Sequence, residues 1–434
     1  MGWTGLSEKM VSFAPDMDYN TCTLANGLRV IHLPSRSPVL YCGYEIAAGT
    51  RHERPGEEGL AHFCEHVTFK GTERRRSWHI LNCMERVGGD LNAFTNKEDT
   101  VFYTAVLHEH ANRAIDLLTD IVFHSVYPQS EIDKEVEIIC DEIESYHDTP
   151  AELIYDEFEN LIFSGHSLGH NILGTASRVR SFTQADALRF THAYYRPDNA
   201  VFFAYGDIDF HRLVRMLCRA TETSPLAPHD EVQAAATTLP KPMKPAIFED
   251  TKGQTIVSER HTHQAHVMVG TRAYAFGDSR RMPLYLLNNL LGGPGMNARL
   301  NLSLRERNGL VYTVESMMTC YGDTGLWATY FGCDPADVDR CLRLVRRELD
   351  KLMAKPLSAT QLAAAKRQLK GQIGVACDNR ESFALSFGKS FLHYGQERNI
   401  PALYAAIDRI TPDDLWQVAR HLFAPDRLYT LIYK

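Results

Sequence analysis

The stretch that most constrains this 434-residue chain is Gly59-Leu-Ala-His62-Phe-Cys-Glu65-His66-Val-Thr-Phe-Lys-Gly-Thr72. Apolar residues at Leu60, Ala61, Phe63, Cys64 and Val67 follow the spacing of a packed helix, and Gly59 and Gly71 punctuate its ends. On a helix, His62 and His66 lie one turn apart on the same face and Glu65 projects from nearly the same side. Two imidazoles so placed are half of a divalent-metal site, with a base beside them. Imidazole suits zinc, and a catalytic zinc keeps three protein ligands and one open position. The H-x-x-E-H pattern is the inverted form of the H-E-x-x-H zinc-protease helix, with the glutamate as general base in both. Chance alone supplies roughly 0.05 such matches in a chain of this length and histidine content.

A third ligand must come from another element. Residues 131–144 read as a helix with the apolar stripe Ile132, Val136, Ile139, Cys140 and Ile143. Glu135 and Glu142 are two turns apart and share a face, so one can bind the metal while the other supports a ligand. The spacing does not say which does which, and a solvated acidic face is the competing reading.

Composition narrows the class. The hydrophobic fraction of 44% is enough for two or more cores. A net charge of −8 and a pI near 6.2 argue against a nucleic-acid partner. Ten cysteines without C-x-x-C spacing read as free buried thiols of a reducing compartment. The first 20 residues hold acidic groups and no apolar core segment, no run is long enough to span a membrane, and Leu6 stands where a myristoylation signal needs Ser or Thr. A cytoplasmic protein without a membrane partner is expected.

Along the chain, strands are expected at 22–33, broken by the Asn26-Gly27 turn, and at 39–48. Helices are expected at 77–87, 108–124, 131–146, 150–162 and 183–195, and a strand at 200–209 precedes a helix at 210–221. Residues 222–245 contain five prolines and read as a linker. Beyond it a similar order returns, with strands at 247–258, 264–272 and 310–332, helices at 279–291, 296–307, 335–353, 358–374, 380–393 and 411–422, and a closing strand at 427–434. The expected fold is α+β with two similar domains, each a mostly antiparallel sheet packed with helices: 1–221 with the metal motif, 222–245 as linker, and 246–434 without it. His166 and His170 are separated by a glycine that disfavours a helix, and His261, His263 and His266 have no accompanying carboxylate pattern, so neither group is expected to bind metal.

These residues resemble the pitrilysin, insulinase and mitochondrial processing peptidase family of inverted-motif zinc metallopeptidases, over essentially the whole chain. In that family the third ligand is a glutamate about 76 residues after the second histidine, which is Glu142 here, and Glu135 matches the accessory glutamate. The resemblance implies one Zn²⁺ per chain, held by His62, His66 and Glu142, with Glu65 as general base. The glycine-led segment Gly88-Gly-Asp-Leu-Asn92-Ala93-Phe-Thr95 resembles the edge strand on which the family holds substrate backbone, at Asn92 and Ala93. Arg305 and Tyr312, seven residues apart, match the family's arginine and tyrosine pair. The implied activity is endopeptidase cleavage of peptides or unfolded polypeptides within a chamber of four such domains. Two domains per chain then imply a dimer, with itself first and with a non-catalytic sister chain second. Relatives also persist as non-catalytic peptide-binding or scaffold subunits, which is the alternative function. Cys64 departs from the aliphatic residue expected inside the motif and should face the core.

Overall fold

The computed structural model describes residues 18–225, 252–260 and 262–434. The proline-rich segment expected as a linker lies outside them from residue 226 onward, and so does His261. The first sheet contains β1 (Asn20–Thr23), β2 (Arg29–Pro34), β3 (Val39–Ile46), β4 (Asp90–Thr95), β5 (Thr100–Leu107) and β6 (Ala200–Gly206), in the order β1-β2-β6-β3-β5-β4. The second contains β7 (Thr255–Ser258), β8 (Ala265–Ala273), β9 (Val311–Cys320), β10 (Gly325–Cys333) and β11 (Tyr429–Tyr433), in the order β7-β11-β8-β10-β9. Strand for strand, the second sheet repeats the last five positions of the first. The repeat includes the one parallel pair in each, β2 with β6 and β7 with β11.

Helices of the first half are α1 (Leu60–Thr68), α2 (Ser77–Glu85), α3 (Ala111–Phe123), α4 (Gln129–His147), α5 (Pro150–Ile162), α6 (Ala176–Val179), α7 (Gln184–Tyr194) and α8 (Phe210–Ala220). The second half has α9 (Arg281–Gly292), α10 (Val338–Ala354), α11 (Ala359–Ala376), α12 (Arg380–Tyr394), α13 (Ile400–Arg409) and α14 (Pro412–Leu422). Each follows an apolar stripe expected from the sequence except two: α6, a single turn capped by Thr175, which accepts from Arg178 N, and α13, whose Asn399 cap accepts from Ala402 N at 2.8 Å and whose first turn holds Pro401.

The helix expected over 296–307 is shorter and wider, a π-helix at Asn301–Glu306. Asn308 Nδ2 takes the Ser303 carbonyl at 2.7 Å, and Arg307 N reaches back five residues to Leu302 O at 3.2 Å. A side-chain amide competing for a helical carbonyl is the physical cause.

The central strands of each sheet are buried on both faces, which is why they read as apolar runs, whereas the outer strands β1, β4, β7 and β9 are partly exposed. On the first sheet, Val30, Leu40, Cys42, Tyr44, Phe102 and Phe202 pack under the half's own helices. The opposite face, including Ile31, Leu33, Val201 and Phe203, packs with Phe383 and Phe387 of α12, a helix of the second half. The second half receives the reciprocal insertion: Ile154, Phe158 and Ile162 of α5 pack on Met268, Leu326, Tyr330, Leu431 and Tyr433. Each sheet is therefore completed by a helix from the other half. Among the described residues, no helix is long and apolar enough to cross a membrane.

Candidate metal centre

Helix α1 begins at Gly59, whose φ of 97° is left-handed and whose missing Cβ leaves room for the backbone of Gly174. The helix end is held by Glu53, which accepts from Gly59 N at 3.1 Å and Ala61 N at 2.8 Å, and by His170, whose Nε2 lies 2.9 Å from Glu53 Oε2. A carboxylate at a helix N-terminus satisfies orphan donors and complements the dipole. His170 thus supports the metal helix without belonging to its ligand group. Phe63, Cys64 and Val67 point into the core, Cys64 among them as a fully buried thiol.

The opposite face of α1 meets α4. His62 and His66 ring centroids are 4.6 Å apart, and Glu142 Oε2 lies 3.3 Å from His66 Nε2 and 3.8 Å from His62 Nε2. One ligand atom from each of the three falls within 4.8 Å of the others, and this is the one such His/Cys/Asp/Glu group among the described residues. The set fits a zinc ion: two neutral imidazoles and one carboxylate leave a fourth position open. Glu135 Oε1 lies 3.0 Å from His66 Nδ1, and Lys70 Nζ holds the other Glu135 oxygen at 2.6 Å. With Nδ1 donating to Glu135, Nε2 of His66 keeps its lone pair for a metal.

Electrostatics follow from burial and these partners. Burial, reinforced by His66, lowers His62 to about 4 and keeps its imidazole neutral. Burial also opposes a charge on His66, but hydrogen bonds to Glu135 and Glu142 outweigh it and raise the group to about 9, so zinc at Nε2 would displace the proton held against Glu142 and leave the imidazole neutral. Its hydrogen bond to His66 holds Glu142 below the usual carboxylate range. Glu65, 8% exposed, is not one of the three grouped ligands but lies close enough to His66 and Glu142 to interact with their charges. Thr95 Oγ1 donates to its Oε2 at 2.7 Å, and burial raises its pKa.

Thr95 closes β4, an outer strand of the first sheet that pairs only with β5 among the described residues. Asn92 and Ala93 stand opposite Tyr103 and Phe102, with Asn92 exposed. Arg305 lies on the π-helix, its guanidinium 5.3 Å from the ring of Tyr312, which is 79% exposed at the start of β9. Neither bonds to the His62, His66 and Glu142 group among the described residues. His266 Nδ1 meets Tyr330 OH at 2.9 Å, and His166 Nε2 lies 3.6 Å from Asp323 Oδ2, so neither joins a metal cluster.

Residues 30–176 match the family model described as insulinase, peptidase family M16, and residues 181–369 match the M16 inactive domain. An uncharacterized zinc protease of Streptomyces coelicolor is 34% identical, over 92% of this chain and 86% of its own. The chain belongs to peptidase family M16. An uncharacterized zinc protease of Bacillus subtilis is 31% identical over 94% of the M16 chain and 97% of its own. The fold is shared with the crystal structure of a protease from Helicobacter pylori, at a TM-score of 0.87 and 20% identity, covering 96% of this chain and 99% of that one. The second half of the M16 chain, matched as an inactive domain, has no counterpart of His62, Glu65 and His66.

Sequence reasoning missed Glu53, Lys70 and Thr95. Lys70 carried a signal, standing one helical turn beyond His66. Glu53 and Thr95 carried none, because they act on α1 from a loop and from a strand.

Proposed function

We propose that this M16 chain is a zinc-dependent endopeptidase that hydrolyses peptides or small unfolded polypeptides. The observation that carries this reading is the convergence of His62, His66 and Glu142, with a second carboxylate, Glu65, held beside them rather than among them. One Zn²⁺ per chain would be held by those three ligands and would supply Lewis-acid polarisation and an acidified water. Glu65 takes the water proton and passes it to the leaving amine, a role suited to its raised pKa. Glu135 fixes the tautomer and orientation of His66. A substrate strand adds to β4 at Asn92 and Ala93, where main-chain groups give affinity and side-chain pockets give choice.

Arg305 anchors substrate backbone and the Tyr312 hydroxyl donates to the developing oxyanion. The exposure of Tyr312, and the lack of any bond from the pair to the metal group among the described residues, support a dimer in which two copies enclose a chamber. A sister subunit is the second choice of partner.

The test is metal analysis of the purified protein with cleavage of an unstructured peptide library before and after chelation. One zinc per chain and chelator-sensitive cleavage are expected. Zinc without cleavage points to a missing partner chain, and absence of metal binding returns the chain to the scaffold reading.

A further inference from the structure

Five consecutive residues at the end of β4 connect the general base to everything around it. Thr95 bonds Glu65. Asn96 O accepts from Thr50 N at 3.2 Å, and Lys97 O accepts from Arg51 N at 2.8 Å. The buried Lys97 ammonium donates to the His170 carbonyl, beside the Glu53 cap of α1. Glu98 and Asp99 then cross to the second half.

Glu98 accepts from Gly322 N at 3.2 Å and from Arg51 at 2.6 Å, and Arg51 continues as a two-pronged pair to Asp323. Asp99, 1% exposed, takes His393 Nε2 and Lys389 Nζ of α12, each at 2.9 Å. The Arg51, Glu98 and Asp323 side chains are all at most 10% exposed. Charges so deeply buried are tolerated only while paired, so these contacts have little freedom to slide.

We propose that Thr95 is a positioning residue for Glu65, and that the second half, docked on Glu98 and Asp99, keeps Thr95 in register. This rests on the peptidase reading. A carboxylate has several lone-pair directions, and one short hydrogen bond to Oε2 fixes which oxygen faces the water. The second half, which carries no ligand, then contributes to proton transfer through Asp323, Gly322 and α12.

The experiment compares four variants of the full chain and a Glu65→Gln control, each loaded with zinc and assayed on a library-derived peptide. Thr95→Val keeps shape and removes the hydroxyl; kcat is expected to fall roughly 10- to 100-fold, with KM and zinc content unchanged. Thr95→Ser restores kcat to within about threefold of wild type. Asp323→Asn and the milder Lys389→Met, neither touching the metal group, lower kcat roughly 3- to 10-fold at unchanged zinc content.

A Thr95→Val enzyme with wild-type kcat, or one that Ser does not rescue, overturns the positioning role. Wild-type kcat in both second-half variants overturns the relay. Glu65→Gln is the control that separates the two readings: an active Glu65→Gln enzyme removes the general base itself, whereas an inactive one beside a normal Thr95→Val leaves the peptidase standing and sinks this inference.

Discussion

At the residue scale, the site is a set of carboxylates given different roles by their surroundings. Glu142 is half exposed and held ionised by His66; Glu135 is buried but paired on both oxygens; Glu65 is buried with one hydroxyl. Replacing Glu65 by Gln is expected to abolish turnover and leave zinc bound, measured by peptide cleavage and elemental analysis; near wild-type cleavage would sink the base assignment. Glu135→Gln, which weakens both the His66 and the Lys70 contacts, should reduce zinc affinity roughly 10- to 100-fold, read by chelator competition. What was legible here was whatever a helical repeat can carry: His62, Glu65, His66 and the shared face of Glu135 and Glu142. The choice of Glu142 over Glu135 as proposed ligand came from family resemblance; in the structure Glu135 stands at Nδ1 of His66 and Glu142 at Nε2.

At the scale of elements, periodicity located nearly every helix and strand, because apolar stripes and caps are local signals. It could not show that the Asn301–Glu306 turn widens, since that depends on the Asn308 amide folding back. Nor could it show how tightly the loop before α1 is laid against the turn after β4. A Cβ at Gly49 would sit 2.1 Å from Asn96 O, a backbone atom that cannot give way without moving Thr95. Gly49→Ala should therefore destabilise the fold by about 1–3 kcal/mol and lower activity further than its stability loss explains. Thermal melts paired with kcat on the folded fraction test this, and equal stability and activity would refute it. On α5, Phe158→Ala removes a fully buried ring from the second sheet and should cost about 3–5 kcal/mol. Denaturant titration reads that loss, which the sequence assigns to the wrong half, because α5 follows α4 in the chain but packs across the junction.

At the scale of the molecule, the two halves meet through buried charge as well as through exchanged helices. Glu45 of β3 lies against Gly388 of α12, and its Oε2 has no hydrogen-bond partner among the described residues. Burial, with Asp99 adding to it and Lys389 opposing, raises its pKa well above the carboxylate range. A raised carboxyl contributes stability below its unfolded pKa of about 4.3 and loses it as pH rises through the folded value. Asp99 has the opposite sign: burial works against its charge, but His393 and Lys389 hold it well below the usual range, so its contribution is present at neutral pH and lost in acid. Glu45→Gln should therefore raise the melting temperature at pH 8 and not at pH 4; equal shifts at both would contradict the burial argument. The duplication was legible as a repeated order of elements, while the exchange of α5 and α12 was not, since no local pattern records which sheet a helix will cover. That exchange bears on inheritance. A repeat that lends its neighbour half of a core is free to lose its own chemistry but not its presence, so a lineage can silence the second copy and still be unable to discard it.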